Sequence, residues 1–343
     1  MTSLFLETLS GRRSGKRPVW LMRQAGRYLA EYRAVRASEP DFISFCLNPE
    51  KAVKVTLQPI ERFGFDAAII FSDILMVPWA LDRNVRIVTG EGPKLDPMET
   101  GSEITEAMID GMAPRLAPVA TAISDCRAAL AADKALIGFA GAPWTIITYL
   151  LEGGSSRDFA TARRWLWEND SRFERLLDLV TQATADFLAL QAEAGADALM
   201  LFDSWAGVVP AHLRKKVVID PANRIAGILK QRGIDKPLIG FPKGVGEGLV
   251  EYCNETELTA VGIDHGVDMR WAARTLPAHL VLQGNLDPLS LIAGGEAMGR
   301  AVDEILDAMA DRPHIFNLGH GITPETPIEN VHDLLARVRG ETL

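Results

Sequence analysis

Eight short apolar or β-branched runs alternate with helix-period stretches along 343 residues, which predicts an α/β fold, a single (β/α)8 TIM barrel. The length agrees, because such a barrel typically needs ~250 residues and tolerates insertions. A third observation is where the chemistry-bearing residues fall. A barrel places its active site at the C-terminal ends of the strands, and the positions at or just past the runs carry Arg23, Arg27, Asp73, Tyr149, Asp203, Ser204, Lys243, Asp264, His265 and His320. A doubly wound open sheet is the alternative, since periodicity alone does not separate the two.

The runs are residues 18–22, 66–71, 135–140, 197–202, 237–241, 259–263, 280–282 and 314–317. Between them, Asn48-Pro49-Glu50 sets a capping side chain before a proline suited to a first helical turn, and Ala52, Val53, Leu57 and Ile60 supply an apolar stripe. Residues 173–194 repeat the pattern at greater length, with Gly195 as terminator. Further helices are expected over 222–230, 296–309 and 327–338. Residues 88–105, rich in Gly, Pro and charge, read as an excursion within one domain. That domain is expected to cover 1–343, with 1–17 as a basic N-terminal extension.

Composition is that of an ordinary globular protein, 48% apolar and 24% charged. No apolar stretch approaches the ~20 residues of a membrane helix, and Leu4-Phe5-Leu6 precedes its charges, the wrong order for a secretory signal. Cys46, Cys126 and Cys253 lie 80 and 127 residues apart, which suits inert thiols in a reducing, cytoplasmic setting. A net charge of −9 argues against nucleic acid as a partner. Locally the balance reverses. Residues 12–36 hold eight basic side chains against one acid, Glu31. Arg12, Arg13, Lys16 and Arg17 read as a solvated terminus. Arg23 and Arg27 are different, because they flank Gln-Ala-Gly beyond an apolar run, and arginine's planar fork suits carboxylate or phosphate. A small polyanion is the first functional inference.

Other chemistries find little support. None of the six histidines forms HxH, HExxH or His-x-Cys, so no zinc site is readable. Gly244-Val-Gly246-Glu-Gly248 ends on Leu249 where a dinucleotide fingerprint needs a small residue. Lys243 at a strand end suits a Schiff base or, more simply, a surface. Asp73 follows a buried run, where it either caps the next helix or accepts several N–H groups from a ligand.

At this level the motifs resemble those of uroporphyrinogen decarboxylases: 18–28 (PVWLMRQAGRY), 69–75 (IIFSDIL), 141–154 with Tyr149, 202–205 (FDSW), 283–288 (QGNLDP) and 317–321 (NLGHG). The resemblance implies a barrel, commonly a homodimer, that removes four acetate carboxylates from uroporphyrinogen III as CO2, giving coproporphyrinogen III without cofactor or metal. It implies that Arg23 and Arg27, with the backbone of Gln24, Ala25 and Gly26, hold substrate carboxylates, and that Arg36 is a third such arginine. Asp73 resembles the aspartate at the macrocycle's centre. Tyr149, Ser204 and His320 resemble side chains that contact the acid groups, with Phe202 against the macrocycle's face. Asp264-His265-Gly266 stands where many members have Asp-Trp-Thr and is assigned no role. A corrinoid methyltransferase of the same superfamily would need a zinc-binding His-x-Cys, and an inactive tetrapyrrole carrier would bind without turnover.

Overall fold

The computed structural model describes residues 3–88, 90–168 and 170–341. Seven strands, Ala67–Ile69, Ala135–Gly141, Ala198–Asp203, Leu238–Pro242, Ala260–Gly262, Val281–Leu286 and His314–Leu318, form one parallel sheet whose spatial order is their chain order. A doubly wound sheet reverses its order where ligands bind; this one never does. The fold is α/β and TIM-like. Every strand residue except Phe202 is buried, as expected of a parallel sheet covered by helices. The strand Val281–Leu286 outruns the expected 280–282, because Gln283, Gly284 and Asn285 carry little apolar signal yet pair with Ile315, Phe316 and Asn317.

The run at 18–22 is not a ladder strand. It makes one parallel bridge, Val19 to Phe316. Val19 N–H donates to the Asp66 carboxylate at 2.8 Å, Asp66 N–H donates to Val19 C=O at 2.9 Å, and Phe316 N–H donates to Pro18 C=O at 2.9 Å. The segment therefore touches both edges of the seven-stranded sheet. It stays short because Pro18 has no N–H to give and a turn begins directly after it. Trp20 is fully buried, and its indole donates to Gln283 at 2.8 Å.

The helices follow their sequence signals. Asn48 accepts from the amide of Lys51 at the start of Pro49–Phe63, and Gly64 ends it at φ +65. The long helix spans Asp170–Glu193 and stops before Gly195. Asp220–Gln231, Gly295–Ala308 and Ile328–Arg339 occupy the other expected stretches. The excursion carries a short hairpin, Arg86–Val88 against Gly92–Lys94.

The N-terminus departs from a solvated extension. Leu4–Leu9 is a helix whose Phe5 and Leu9 are buried, each side chain contributing ~1.5–3 kcal/mol on full burial. Arg17 donates to the carbonyls of Leu306 and Met309, at the C-terminal end of Gly295–Ala308, where a cation also answers the helix dipole. Arg13 reaches Ala310 C=O and Asp311. Arg12 stays exposed, as the charge run suggests.

Beyond the bridge, Gln24 fixes the turn. Its side chain accepts from Leu21 N–H at 3.1 Å and donates to Ala67 C=O at 3.1 Å, fully buried. Gln24→Ala strands both groups, each at a cost of ~1–3 kcal/mol. We expect a clear drop in the urea midpoint, measured by circular dichroism, with a native far-UV spectrum before unfolding. An unchanged midpoint would show that the turn holds itself.

Candidate active site

The turn that Gln24 pins delivers the arginines. Arg23 adopts φ +62, a left-handed conformation uncommon for a residue with a side chain. It aims the guanidinium stem across Gly321, where a Cβ would lie 2.4 Å from Arg23 Cδ. Gly26 is likewise forced small, since a Cβ there would lie 2.8 Å from Arg23 C=O. Arg23 and Arg27 are both exposed. The Gln24 amide donates to Leu21 C=O, so this residue is committed to the turn by both its main chain and its side chain. The resemblance expects its backbone to hold substrate carboxylates, and in this structure its N–H is engaged within the turn. The amides of Ala25 and Gly26 make no main-chain hydrogen bond among the described residues.

Asp73 stands past the strand Ala67–Ile69 and is half-buried. One carboxylate oxygen accepts from Leu75 N–H at 2.8 Å, an Asx turn that leads into Met76–Ala80. The other oxygen has no hydrogen-bond partner among the described residues. Burial raises its pKa, while the Leu75 N–H and the Arg23 guanidinium oppose the rise. One carboxylate oxygen thus shapes the turn before the helix, whose own N-cap position is Leu75, and the other is left unengaged among the described residues.

Tyr149 reaches the same centre from the helix Pro143–Glu152. Burial raises its phenol; Trp205 lies beside it, and Asp73 and Arg23 act on it with opposite signs. His320 follows the last strand, and its pKa is lowered to about 4, first by burial, then by Arg23, Lys243 and His265, with Asp264 opposing. Its imidazole is neutral near pH 7. Phe202 packs edge-on against Phe139 and Phe241, with ring centres 5.4 and 6.0 Å away, and retains an exposed part. Ser204 is half-buried, with no side-chain hydrogen bond among the described residues. Arg36 lies farther round, its guanidinium 5.8 Å from the Phe45 ring and donating to Glu39 C=O. The buried Cys46 thiol is pushed up by burial and by Asp73, with Arg36 opposing.

Two networks brace these residues. Thr145 donates to the buried Asp203 carboxylate at 2.6 Å and accepts from Trp205 N–H, while the Trp144 indole donates to Trp205 C=O. Burial pushes Asp203 up to about 7. This network fixes the loop that presents Ser204 and Trp205. The sequence signals for it are Asp203's place at a strand end and within the 202–205 motif. Asp264, in turn, accepts from the amides of Gly244 and Gly266, and its carbonyl accepts from Asn285, so it ties three strand ends together. Among the described residues no group of three or more His, Cys, Asp or Glu is placed to hold a metal.

Comparison with known proteins identifies the family. The family model described as uroporphyrinogen decarboxylase (URO-D) matches residues 1–340. A uroporphyrinogen decarboxylase of Maricaulis maris is 49% identical over 340 residues, covering 97% of this chain and 96% of that one. One from Novosphingobium aromaticivorans is 46% identical, covering 99% of each. Among solved structures, a methyltransferase from Methanosarcina mazei superposes with a TM-score of 0.82 at 19% identity, covering 98% of both chains, a likeness of fold alone. The chain belongs to the uroporphyrinogen decarboxylase family.

Proposed function

We propose that this protein decarboxylates uroporphyrinogen III to coproporphyrinogen III, a step of porphyrin and heme biosynthesis, in a site built around Asp73. The observation that carries the reading is the half-free Asp73 carboxylate set among Arg23, Tyr149 and the strand ends, in a chain matched to this family along its length. The segment 18–20 would act as the eighth stave of a closed barrel; its bonds to both sheet edges support this. The same reading takes the protein as a cytoplasmic homodimer that works without cofactor, metal, nucleic acid or membrane. Support for the reducing compartment comes from three buried free thiols.

The chemistry asks for what these residues offer. A proton adds to the pyrrole α-carbon next to the carbon that bears an acetate arm, making a cationic ring conjugated to that arm. The acetate carboxylate leaves as CO2, and its bonding pair neutralises that ring as an exocyclic methylene. Protonation of the methylene and loss of the first ring proton leave a methyl group. The substrate is its own electron sink. Asp73's free oxygen accepts pyrrole N–H groups and answers the developing positive charge in a desolvated setting. Arg23, Arg27, Arg36 and the free amides of Ala25 and Gly26 hold peripheral carboxylates. Tyr149, Ser204 and neutral His320 offer hydrogen bonds to the acid arms, and Phe202 offers a flat apolar face.

Arg27→Ala should lower kcat/KM at least ~30-fold, since stripping the partner from a desolvated carboxylate costs ~2–5 kcal/mol. Arg12→Ala, at an exposed position, should change it less than about twofold. Equal effects in an anaerobic assay with product separation would overturn the pocket assignment.

Asp73→Asn is the sharpest test. Asparagine keeps the Leu75 turn through its oxygen and caps about as well as aspartate, so it removes the charge and leaves the fold. We expect kcat to fall by ~10²–10³ with Tm nearly unchanged. Near-wild-type turnover would leave Asp73 a turn residue only.

Prolonged dialysis against EDTA should leave activity intact. Loss of activity restored by one particular metal would refute the cofactor-free reading.

A further inference from the structure

The arginines assigned to the substrate all issue from one side. Arg23 and Arg27 follow the segment 18–20, and Arg36 ends the helix Ala30–Arg36 just beyond. A macrocycle with carboxylate arms around its whole perimeter also meets the far wall. Counting around the sheet from segment 18–20, the strand Leu238–Pro242 lies four places away in either direction. The residue after that strand is Lys243.

Its main chain is held from both sides. Lys243 N–H donates to Asp203 C=O at 3.1 Å, and its carbonyl accepts from Gly207 N–H at 3.0 Å. Gly207 has no room for a Cβ, which would lie 2.5 Å from Gly244 C=O. The side chain is half-buried, with Nζ 5.9 Å from the centre of the Trp205 ring, and Trp205 in turn packs on Phe159 at 4.6 Å. No carboxylate neutralises it. Asp264 has both oxygens on the amides of Gly244 and Gly266, and Asp203 is buried against Thr145. Lys243 makes no ion pair among the described residues, although the chain carries 45 acids against 36 Lys and Arg.

We propose that Lys243 is a carboxylate-binding residue for the substrate, on the wall opposite Arg23 and Arg27, with Trp205 directing its stem. The proposal rests on the uroporphyrinogen reading and extends it to a residue whose Schiff-base alternative needs no such partner. A half-buried cation beside an aromatic face, kept free of acids in an acidic protein, is available to a ligand carboxylate. Its charge also helps lower the His320 pKa, together with Arg23 and His265 and against Asp264.

The test uses Lys243→Met, which keeps the stem on Trp205 and removes the charge, with Lys243→Arg as the conservative rescue. In anaerobic assays with uroporphyrinogen III, Lys243→Met should raise KM about tenfold while kcat changes less, and Lys243→Arg should recover most of it. The Tm of both should match the wild type. A KM within twofold of wild type for Lys243→Met, in a preparation where Arg27→Ala is strongly impaired, overturns the role of Lys243 and leaves the pocket reading standing. If Arg27→Ala is also unimpaired, both fall. A second measurement needs no variant. Brief acetylation of the wild-type protein, read by peptide mass spectrometry, should show Lys243 protected at least fivefold by excess uroporphyrinogen, with Lys16 labelled equally in both samples. Equal labelling of Lys243 with and without substrate overturns the proposal.

Discussion

Three hydrogen bonds around Val19, two between main-chain groups and one to the Asp66 carboxylate, are the constraint on which the rest depends. Asp66 both accepts from and donates to Val19, and Phe316 donates to Pro18. These bonds hold segment 18–20 between the first and last strands of the sheet. They also fix where the turn of Arg23 and Arg27 begins. Gln24 then ties that turn back to Ala67, so the cationic arm and the edge of the sheet are positioned by the same few atoms. Burying unsatisfied main-chain groups is costly, and here that cost is avoided by polar side chains: Asp66, Gln24, and Asn317, which accepts from Met22 N–H at 3.0 Å. Precision at the site comes from satisfying the backbone of a segment too short to be a strand.

Electrostatics shows the same economy. The protein is acidic overall, so its long-range field repels a polyanion, and attraction must be local. Cations are gathered at the strand ends, while nearby acids are spent on amides, as with Asp264, or pushed toward neutrality, as with Asp203 at about 7. His320 is kept neutral by burial and by the cations around it. Asp73 is the exception. Burial works against its charge, Arg23 and the Leu75 amide work for it, and one oxygen is left over. A carboxylate in that balance gains from a ligand that brings N–H donors and positive charge.

How much of this was legible depends on the range of the signal. Strand runs and helix caps are local, and Asn48 with Pro49 marks its helix without tertiary help. Motif residues 23–27, 73, 149, 202–204 and 320 stand out because they end apolar runs. Two kinds of feature stayed hidden. The N-terminal helix looked like a basic tail because its charge run drew attention away from Phe5 and Leu9, whose burial partners lie elsewhere in the chain. Gln24 looked like part of a binding loop, since nothing local says that its amide and side chain bond inward to Leu21 and Ala67. Long-range hydrogen bonds between single residues leave no period in a sequence.

The likeness to the Methanosarcina mazei methyltransferase sharpens what the barrel itself decides. A TM-score of 0.82 at 19% identity means that the staves and their cover are shared while most side chains are not. Fold therefore fixes where strand ends point, and function is written in what stands on them. In this chain those positions carry Arg23, Asp73, Ser204, Lys243 and His320, spread over segment 18–20 and four strands of the sheet rather than clustered on one loop. A site so distributed suits a broad, multiply charged ligand, because each strand end meets a different part of its rim. It suits a single metal ion poorly, since ligands to one ion must converge within ~2–2.6 Å of a point.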